Sequence, residues 1–125
     1  MSYGHLFTKT NTVISNYKLF FFHHAGGSVA QYLPLFNSLN IPIEFYIMNL
    51  PGRSLESKVN SYTDFTKVML DIRSALIFKP NDKIYLLGHS MGSLFVYDLV
   101  KYIETTQPGC LVSFGISALK SPIRD

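Results

Sequence analysis

The sequence predicts an α/β fold, in which a mostly parallel sheet carries helices on both faces. The chain has 125 residues, of which 47% are hydrophobic and 14% aromatic, so it can bury the core of one ordinary domain. Short apolar runs alternate along the chain with segments of helical periodicity. This alternation is typical of parallel sheets whose strands are joined by crossing helices.

The first half of the chain contains two predicted buried strands. Residues 1–17 are polar and predicted to be irregular, although residues 6–8 could form a short strand. Residues 18–23 (KLFFFH) are a short apolar run rich in aromatic side chains, which predicts a strand. After a glycine-rich break, residues 29–39 place apolar side chains on one helical face. Residues 43–49 (IEFYIMN) predict the next strand.

The second half continues the same alternation. Residues 61–78 carry apolar side chains at three- and four-residue spacing, which predicts a helix. Residues 83–87 predict a strand, and residues 90–104 predict a helix that the Pro108-Gly109 pair ends. Residues 110–114 predict the last strand.

Charge and composition exclude several classes of protein. The net charge is only +3, from 11 Lys+Arg and 8 Asp+Glu, and the basic residues are scattered, which argues against a nucleic-acid or membrane partner. No apolar run approaches the roughly 18 residues that a membrane span requires. The N-terminus lacks the pattern of a signal peptide. The single cysteine, Cys110, cannot form an internal disulfide, so we expect a reducing, cytoplasmic setting.

Residues 88–92 (GHSMG) match the pattern G-x-S-x-G in the context that the pattern requires. An apolar strand precedes them and a helix follows, so Ser90 is predicted to be a catalytic nucleophile at a sharp turn, a nucleophile elbow. Gly88 and Gly92 are expected where larger side chains would collide across this turn. The start of the helix would present N–H groups, including that of Met91, to an oxyanion. The alternative is a serine that only begins a helix between two turn glycines.

The loop after the first buried strand is also rich in small residues. Its sequence HHAGGS (residues 23–28) would let backbone N–H groups approach a substrate closely, and Gly26 and Gly27 are expected to permit that approach. Where such an elbow occurs, the second oxyanion donor comes from a loop in this position. We therefore expect the backbone N–H groups of Ala25 and Met91 to form an oxyanion hole. The alternative is an ordinary strand-to-helix loop.

Three nearby features favour a structural over a catalytic interpretation. His89 adjoins Ser90, but adjacent residues at an elbow point in different directions, so we expect His89 to pack rather than act as the base. His23 and His24 stand together without further ligands nearby, and we predict no metal site. Residues 51–53 (PGR) could place a cation near the pocket mouth, but a surface turn that ends a strand is favoured.

Four segments together resemble one enzyme family. The chain resembles the type II thioesterases of nonribosomal peptide and polyketide synthesis, which have the α/β-hydrolase fold, from about Leu19 onward. The one departure is His23, where the family usually has a proline before the HAGG loop. The matching segments are LFFFHHAGGS (19–28), NLPGRS (49–54), LLGHSMGSLFVYDL (86–99) and LVSFGISALKSP (111–122).

The resemblance implies a domain and an activity. Residues 18–125 would form an incomplete α/β-hydrolase domain, a three-layer sandwich truncated after the strand that follows the nucleophile helix. The implied activity is hydrolysis of acyl thioesters on the phosphopantetheine arm of an acyl or peptidyl carrier protein, an editing or release step in secondary metabolism. Ser90 would be the nucleophile, and no organic cofactor or metal is implied. The start at Met1 predicts a free-standing protein.

The other two members of a catalytic triad are expected to be absent. In this fold the triad runs in the order Ser, then Asp or Glu, then His. All four histidines precede Ser90, and the acids after it, Asp98, Glu104 and Asp125, do not suit the acid's position. The chain alone is therefore predicted to have little or no activity. It could be a fragment, the product of an interrupted reading frame, or a non-catalytic relative that binds acyl groups or carrier proteins.

The fold and the predicted truncation imply two further properties. The same fold also allows a general esterase that prefers oxygen esters to thioesters. Truncation would leave the strand at residues 110–114 as an exposed edge without charge, and such an edge is expected to pair with another chain or to aggregate.

Overall fold

The protein is an α/β domain built on a five-stranded sheet. Its computed structural model describes Tyr3, residues 6–23, Pro34, Ser38, residues 40–49 and residues 61–117, with side chains in the last range from 66 to 116. The described elements are the strands β1 (Phe7–Lys9), β2 (Tyr17–Phe22), β3 (Glu44–Met48), β4 (Lys83–His89) and β5 (Leu111–Ser117), a 3₁₀ turn at Ser90–Gly92, and the helices α1 (Ser61–Ala75) and α2 (Ser93–Thr106).

The predicted order of strands and helices is confirmed wherever the structure describes it. The predicted helix at residues 29–39 lies outside the described residues, apart from Pro34 and Ser38. The helix predicted over residues 61–78 ends earlier, at Ala75. Just beyond it, the N–H of Phe78 donates to the side chain of Gln107 at 2.7 Å, so a side-chain acceptor replaces the helical one.

The sheet has the strand order β1-β3-β2-β4-β5. The four strands from β2 to β5 are parallel to their neighbours, and β1 pairs with β3 in the antiparallel direction. In the central pair, Phe22 at the end of β2 lies opposite Gly88 near the end of β4. The carboxyl ends of the parallel strands therefore meet at one edge of the sheet, where ligands bind in α/β folds.

The core lies mainly between the sheet and the two described helices. Alternate side chains of β4, Ile84 and Leu86, face this side and are at most 1% exposed. α1 contributes Ile72 and α2 contributes Leu99 to the same cluster, and both are fully buried. The other face of the sheet buries a smaller cluster of Phe21, Phe45 and Ile47. Strands that bury both faces read as continuous apolar runs, which is why β2 and β3 were recognisable in the sequence.

The N-terminal segment is part of this core. β1 adds an antiparallel edge strand, with Phe7 opposite Met48. Tyr3 is 5% exposed and packs edge-to-face on Phe20 and Tyr46, with ring centroids 5.0 and 5.1 Å apart. Aromatic pairs of this geometry contribute about 0.5–1.5 kcal/mol beyond burial of their area.

A buried polar cluster stabilises the amino ends of the strands, on the side opposite to the predicted elbow. The Glu44 carboxylate accepts hydrogen bonds from the Tyr46 hydroxyl at 2.6 Å, the Ser15 N–H at 2.8 Å and the Lys18 ammonium at 3.1 Å. Burial by itself would raise the pKa of Glu44, but these hydrogen bonds and the Lys18 charge outweigh it and lower the pKa. Burial and the Glu44 hydrogen bond raise the pKa of Tyr46.

β5 lies at the edge of the described sheet. Its seven residues, LVSFGIS, contain no charged side chain. Val112 and Phe114 are 47% and 48% exposed, which is high for apolar side chains in a strand. Within the residues that the structure describes, no helix has the length and apolar character needed to cross a bilayer.

Candidate functional site

Ser90 stands at the point where β4 turns into α2. It follows His89, the last residue of β4, and begins the 3₁₀ turn that leads into α2. Its φ is +59°, and among the described residues it is the one non-glycine residue with a positive φ. Left-handed backbone disfavours residues that carry a Cβ, and such strain concentrates at functional sites. The backbone at Ser90 is therefore that of a sharp strand-to-helix turn.

The two glycines that flank Ser90 are required by close packing. A Cβ on Gly88 would stand 2.8 Å from the Val96 side chain and 2.9 Å from Ser93 Cα, both on α2. A Cβ on Gly92 would overlap the Phe22 carbonyl group and stand 2.9 Å from the His23 carbonyl oxygen, both at the end of β2. Contacts under 3 Å are shorter than carbon–carbon and carbon–oxygen packing allows. The turn is therefore held between α2 on one side and β2 on the other.

The start of α2 lies directly beside Ser90. The Ser93 N–H donates back to the carbonyl oxygens of Ser90 and Met91, which closes the 3₁₀ turn. The first N–H groups of a helix have no acceptor within the helix, and the helix dipole makes this end favourable for negative charge. Met91 lies in the 3₁₀ turn just before this helix, and its side chain is 48% exposed.

The end of β2 supplies the neighbouring part of the site. His23 follows β2 and is 1% exposed. Its Nε2 atom lies 2.7 Å from the Met48 carbonyl oxygen at the end of β3. The expected oxyanion donor Ala25, the loop glycines Gly26 and Gly27, and residues 51–53 lie outside the described residues.

One of the two ring nitrogens of His23 is engaged in a hydrogen bond. A carbonyl oxygen only accepts hydrogen bonds, so Nε2 of His23 carries a proton and cannot bind a metal at the same time. Over the described part of the chain, no group of three or more His, Cys, Asp or Glu side chains could hold a metal ion.

The acids that follow Ser90 in the described sequence lie on α2 and away from the turn. Asp98 forms a two-pronged ion pair with Arg73 of α1, with distances of 2.7 and 2.8 Å from Nη2 to the two carboxylate oxygens. The Arg73 guanidinium also lies 4.8 Å from the centre of the Tyr102 ring. Glu104 is exposed. Asp98 thus has a partner that joins the two helices, and Asp125 lies outside the described residues.

Sequence reasoning missed two polar features around the elbow. The bond from the His23 ring to β3 links positions 25 residues apart, and no local pattern signals it. The second is Ser93, which is 5% exposed and whose hydroxyl oxygen is buried without a hydrogen-bond partner among the described residues. His89 is half-buried at the end of β4, where its backbone pairs with Ser117.

The arrangement suits acyl transfer through a serine. Ser90 is presented at the carboxyl edge of the sheet, where a hydroxyl can reach a ligand above the strands. The adjacent helix start offers N–H donors for the negative charge that develops on a carbonyl oxygen under attack. The described acids that follow Ser90, Asp98 and Glu104, both lie along α2.

Comparison with known proteins shows that a protein-family model matches most of the chain. A family model described as Thioesterase domain matches residues 17–122. Among curated proteins, the linear gramicidin dehydrogenase LgrE of Brevibacillus parabrevis is 34% identical over 86 residues, which make up 69% of this chain and 33% of that protein.

Solved structures share the fold. The type II thioesterase BorB from the borrelidin biosynthetic cluster superposes with a TM-score of 0.69 at 22% identity, covering 95% of this chain and 51% of that one. YbtT, the type II thioesterase of the yersiniabactin NRPS/PKS pathway, gives 0.62 at 18% identity, covering 89% and 47%. A lipase-esterase related protein of Clostridium acetobutylicum gives 0.57 at 23% identity, covering 87% and 46%. The chain thus spans about half the length of these structures.

Proposed function

Because the chain belongs to the thioesterase domain family, we propose that it carries the nucleophile of a serine hydrolase that cleaves acyl thioesters on the phosphopantetheine arm of a carrier protein. The observation that carries the proposal is the left-handed turn at Ser90, wedged between β2 and α2 by Gly88 and Gly92. The relatives from borrelidin and yersiniabactin biosynthesis support a role in secondary metabolism. The single cysteine supports a cytoplasmic setting.

In the proposed reaction, the Ser90 hydroxyl oxygen attacks the carbonyl carbon of the thioester. The N–H groups of Met91 and Ala25 stabilise the oxyanion, and each such donor contributes on the order of 3 kcal/mol to the transition state. The carbon–sulfur bond then breaks, the thiol of the pantetheine arm leaves, and the acyl group remains on Ser90. Water releases this acyl group as a carboxylic acid and restores the hydroxyl.

Both steps need a general base. In the first step the base takes the Ser90 hydroxyl proton and returns it to the leaving sulfur, and in the second step it takes a proton from water and returns it to the Ser90 oxygen. We propose that the chain itself supplies neither this base nor its acid partner, since no histidine follows Ser90. Hydrolysis by the chain alone should accordingly be slow, with the oxyanion donors as the remaining contribution.

The test is the cleavage of acetyl-pantetheine by the chain in the presence of imidazole, which replaces the missing base. The parent is expected to cleave faster than Ser90→Ala, and only when imidazole is present. Ser93→Ala is the matched control. It removes a buried hydroxyl at the start of α2, three residues after Ser90, and should behave like the parent. Equal imidazole-dependent rates for the parent and Ser90→Ala would contradict the proposal.

A second candidate is an esterase for oxygen esters, which the fold shared with the lipase-esterase related protein of Clostridium acetobutylicum favours. Replacing acetyl-pantetheine by the matching oxygen ester separates the two candidates. A thioesterase should show a larger Ser90-dependent rate on the thioester. A chain that only binds would retain carrier binding in Ser90→Ala and cleave neither substrate.

A further inference from the structure

We propose that His23 is a positioning residue for the elbow, because its ring fastens the end of β2 to the end of β3 and so fixes the backbone on which the Ser90 turn rests. The inference deepens the proposed function and rests on it for the role of Ser90. It concerns the shape of the turn and not a contact with substrate.

The hydrogen bond between His23 and Met48 has a defined direction. The Met48 carbonyl oxygen can only accept, so the His23 Nε2–H donates across 2.7 Å. The Cα pairing of β2 with β3 extends only as far as Phe21 opposite Ile47. The ring therefore adds one cross-strand bond just past the end of the ladder. Both partners are nearly inaccessible, with His23 1% and Met48 0% exposed, so water does not compete for this bond.

The segment that carries the Met48 carbonyl group is held in place by β1. Met48 lies opposite Phe7 in the antiparallel pairing of β3 with β1. Immediately after it, the Asn49 N–H donates to the Leu6 carbonyl oxygen at 2.7 Å, and the Thr8 hydroxyl lies 2.9 Å from the Asn49 side-chain oxygen. The acceptor of the His23 bond is thus held on its far side by β1.

The backbone at His23 packs directly against the elbow. Gly92 packs so tightly on the carbonyl groups of Phe22 and His23 that no Cβ fits between them. The ring of Phe22 also stacks on Phe95 of α2, with centroids 5.9 Å apart and planes 20° apart. A displacement of the peptide groups at 22–23 would therefore move the Ser90–Gly92 turn, since tightly packed interiors transmit strain.

A buried histidine that only stabilises the core would behave differently from a positioning residue. Two replacements separate these roles. In His23→Gln the side-chain nitrogen is the same number of bonds from Cα as Nε2, so it can donate to the Met48 carbonyl. In His23→Asn the nitrogen is one bond closer to Cα and falls short. Both replacements are neutral amides, so they differ in reach rather than in chemistry.

The experiment is a comparison of the backbone amide resonances of Ser90, Met91 and Gly92 by NMR. We expect His23→Asn to shift them and His23→Gln to restore the parental positions. Val68→Ala is the matched control, because it truncates a core side chain on α1 that is 8% exposed and should lower stability without moving these resonances. Unmoved resonances in His23→Asn, or equal shifts in Val68→Ala, would overturn the proposal.

Two further measurements test the role of His23 independently of the amide resonances. In the parent, the His23 Nε2–H should give a slowly exchanging proton signal, and its absence would overturn the proposal even if His23→Asn does not fold. Imidazole-dependent cleavage of acetyl-pantetheine should fall about fivefold in His23→Asn, the factor for one lost hydrogen bond, and recover in His23→Gln. Ser90→Ala cleaving like the parent would overturn the proposed function, whereas the amide resonances would still decide the role of His23.

Discussion

Replacing Gly92 with alanine tests the packing of the elbow most sharply. The new Cβ would overlap the carbonyl group of Phe22 and stand 2.9 Å from the carbonyl oxygen of His23. These are backbone atoms of a strand, which cannot rotate away as a side chain could. Overpacking of this kind costs about 1–3 kcal/mol, and we expect the upper end. The lower chain entropy of alanine in the unfolded state offsets about 0.4–1 kcal/mol of this cost.

The net expectation for Gly92→Ala is a loss of about 2–2.6 kcal/mol in the free energy of unfolding. Urea denaturation measures this loss, and the midpoint should fall by about 1–2 M for an ordinary dependence on urea. Gly115→Ala is the matched control, because among the described residues its Cβ would meet only the flexible end of the Leu87 side chain, at 3.3 Å. If Gly92→Ala loses no more stability than Gly115→Ala, the close approach of the turn to β2 is wrong.

Three further predictions concern the polar cluster, the helix pair and the sheet edge. The pKa of Glu44 is lowered in the folded state, so its carboxylate stabilises the fold above the unfolded pKa. This contribution is lost as the pH falls through the folded pKa. Between pH 7 and pH 3, the urea midpoint should therefore fall more for the parent than for Glu44→Gln. A double-mutant cycle of Arg73→Ala with Asp98→Ala should give a coupling of about 0.5–1 kcal/mol, since the pair is partly exposed; zero coupling would contradict this. Light scattering should show self-association that Phe114→Lys reduces and Tyr97→Lys, on α2, does not; a monomeric parent at high concentration would refute it.

β3 and the end of β2 could be predicted because they bury side chains on both faces of the sheet. β2 and β3 are short apolar runs bounded by polar or glycine-rich segments, and this pattern depends only on local sequence. Ser90 could be predicted as a candidate nucleophile for a related reason, since its two glycines lie within two residues of it and a strand and a helix flank it. These features share one property, which is that residues close in sequence carry the signal.

The remaining features depend on contacts between distant parts of the chain. The N-terminal segment reads as polar, yet Tyr3 is buried against β2 and β3, and only the three-dimensional fold brings them together. The clash that excludes a side chain at Gly92 comes from Phe22, 70 positions earlier in the sequence. Glu44 is an instructive exception, because an acid inside an apolar strand signals that buried partners must exist without saying which.

The residue that accepts the acyl group can be located after incubation of the chain with acetyl-pantetheine and imidazole. Mass spectrometry of peptides from the chain identifies the modified residue. We expect acetyl on Ser90, lost in Ser90→Ala and retained in Ser93→Ala, because Ser90 stands at the turn with the first N–H groups of the helix beside it. Acetylation of Cys110 or of lysines, with Ser90 unmodified, would contradict it.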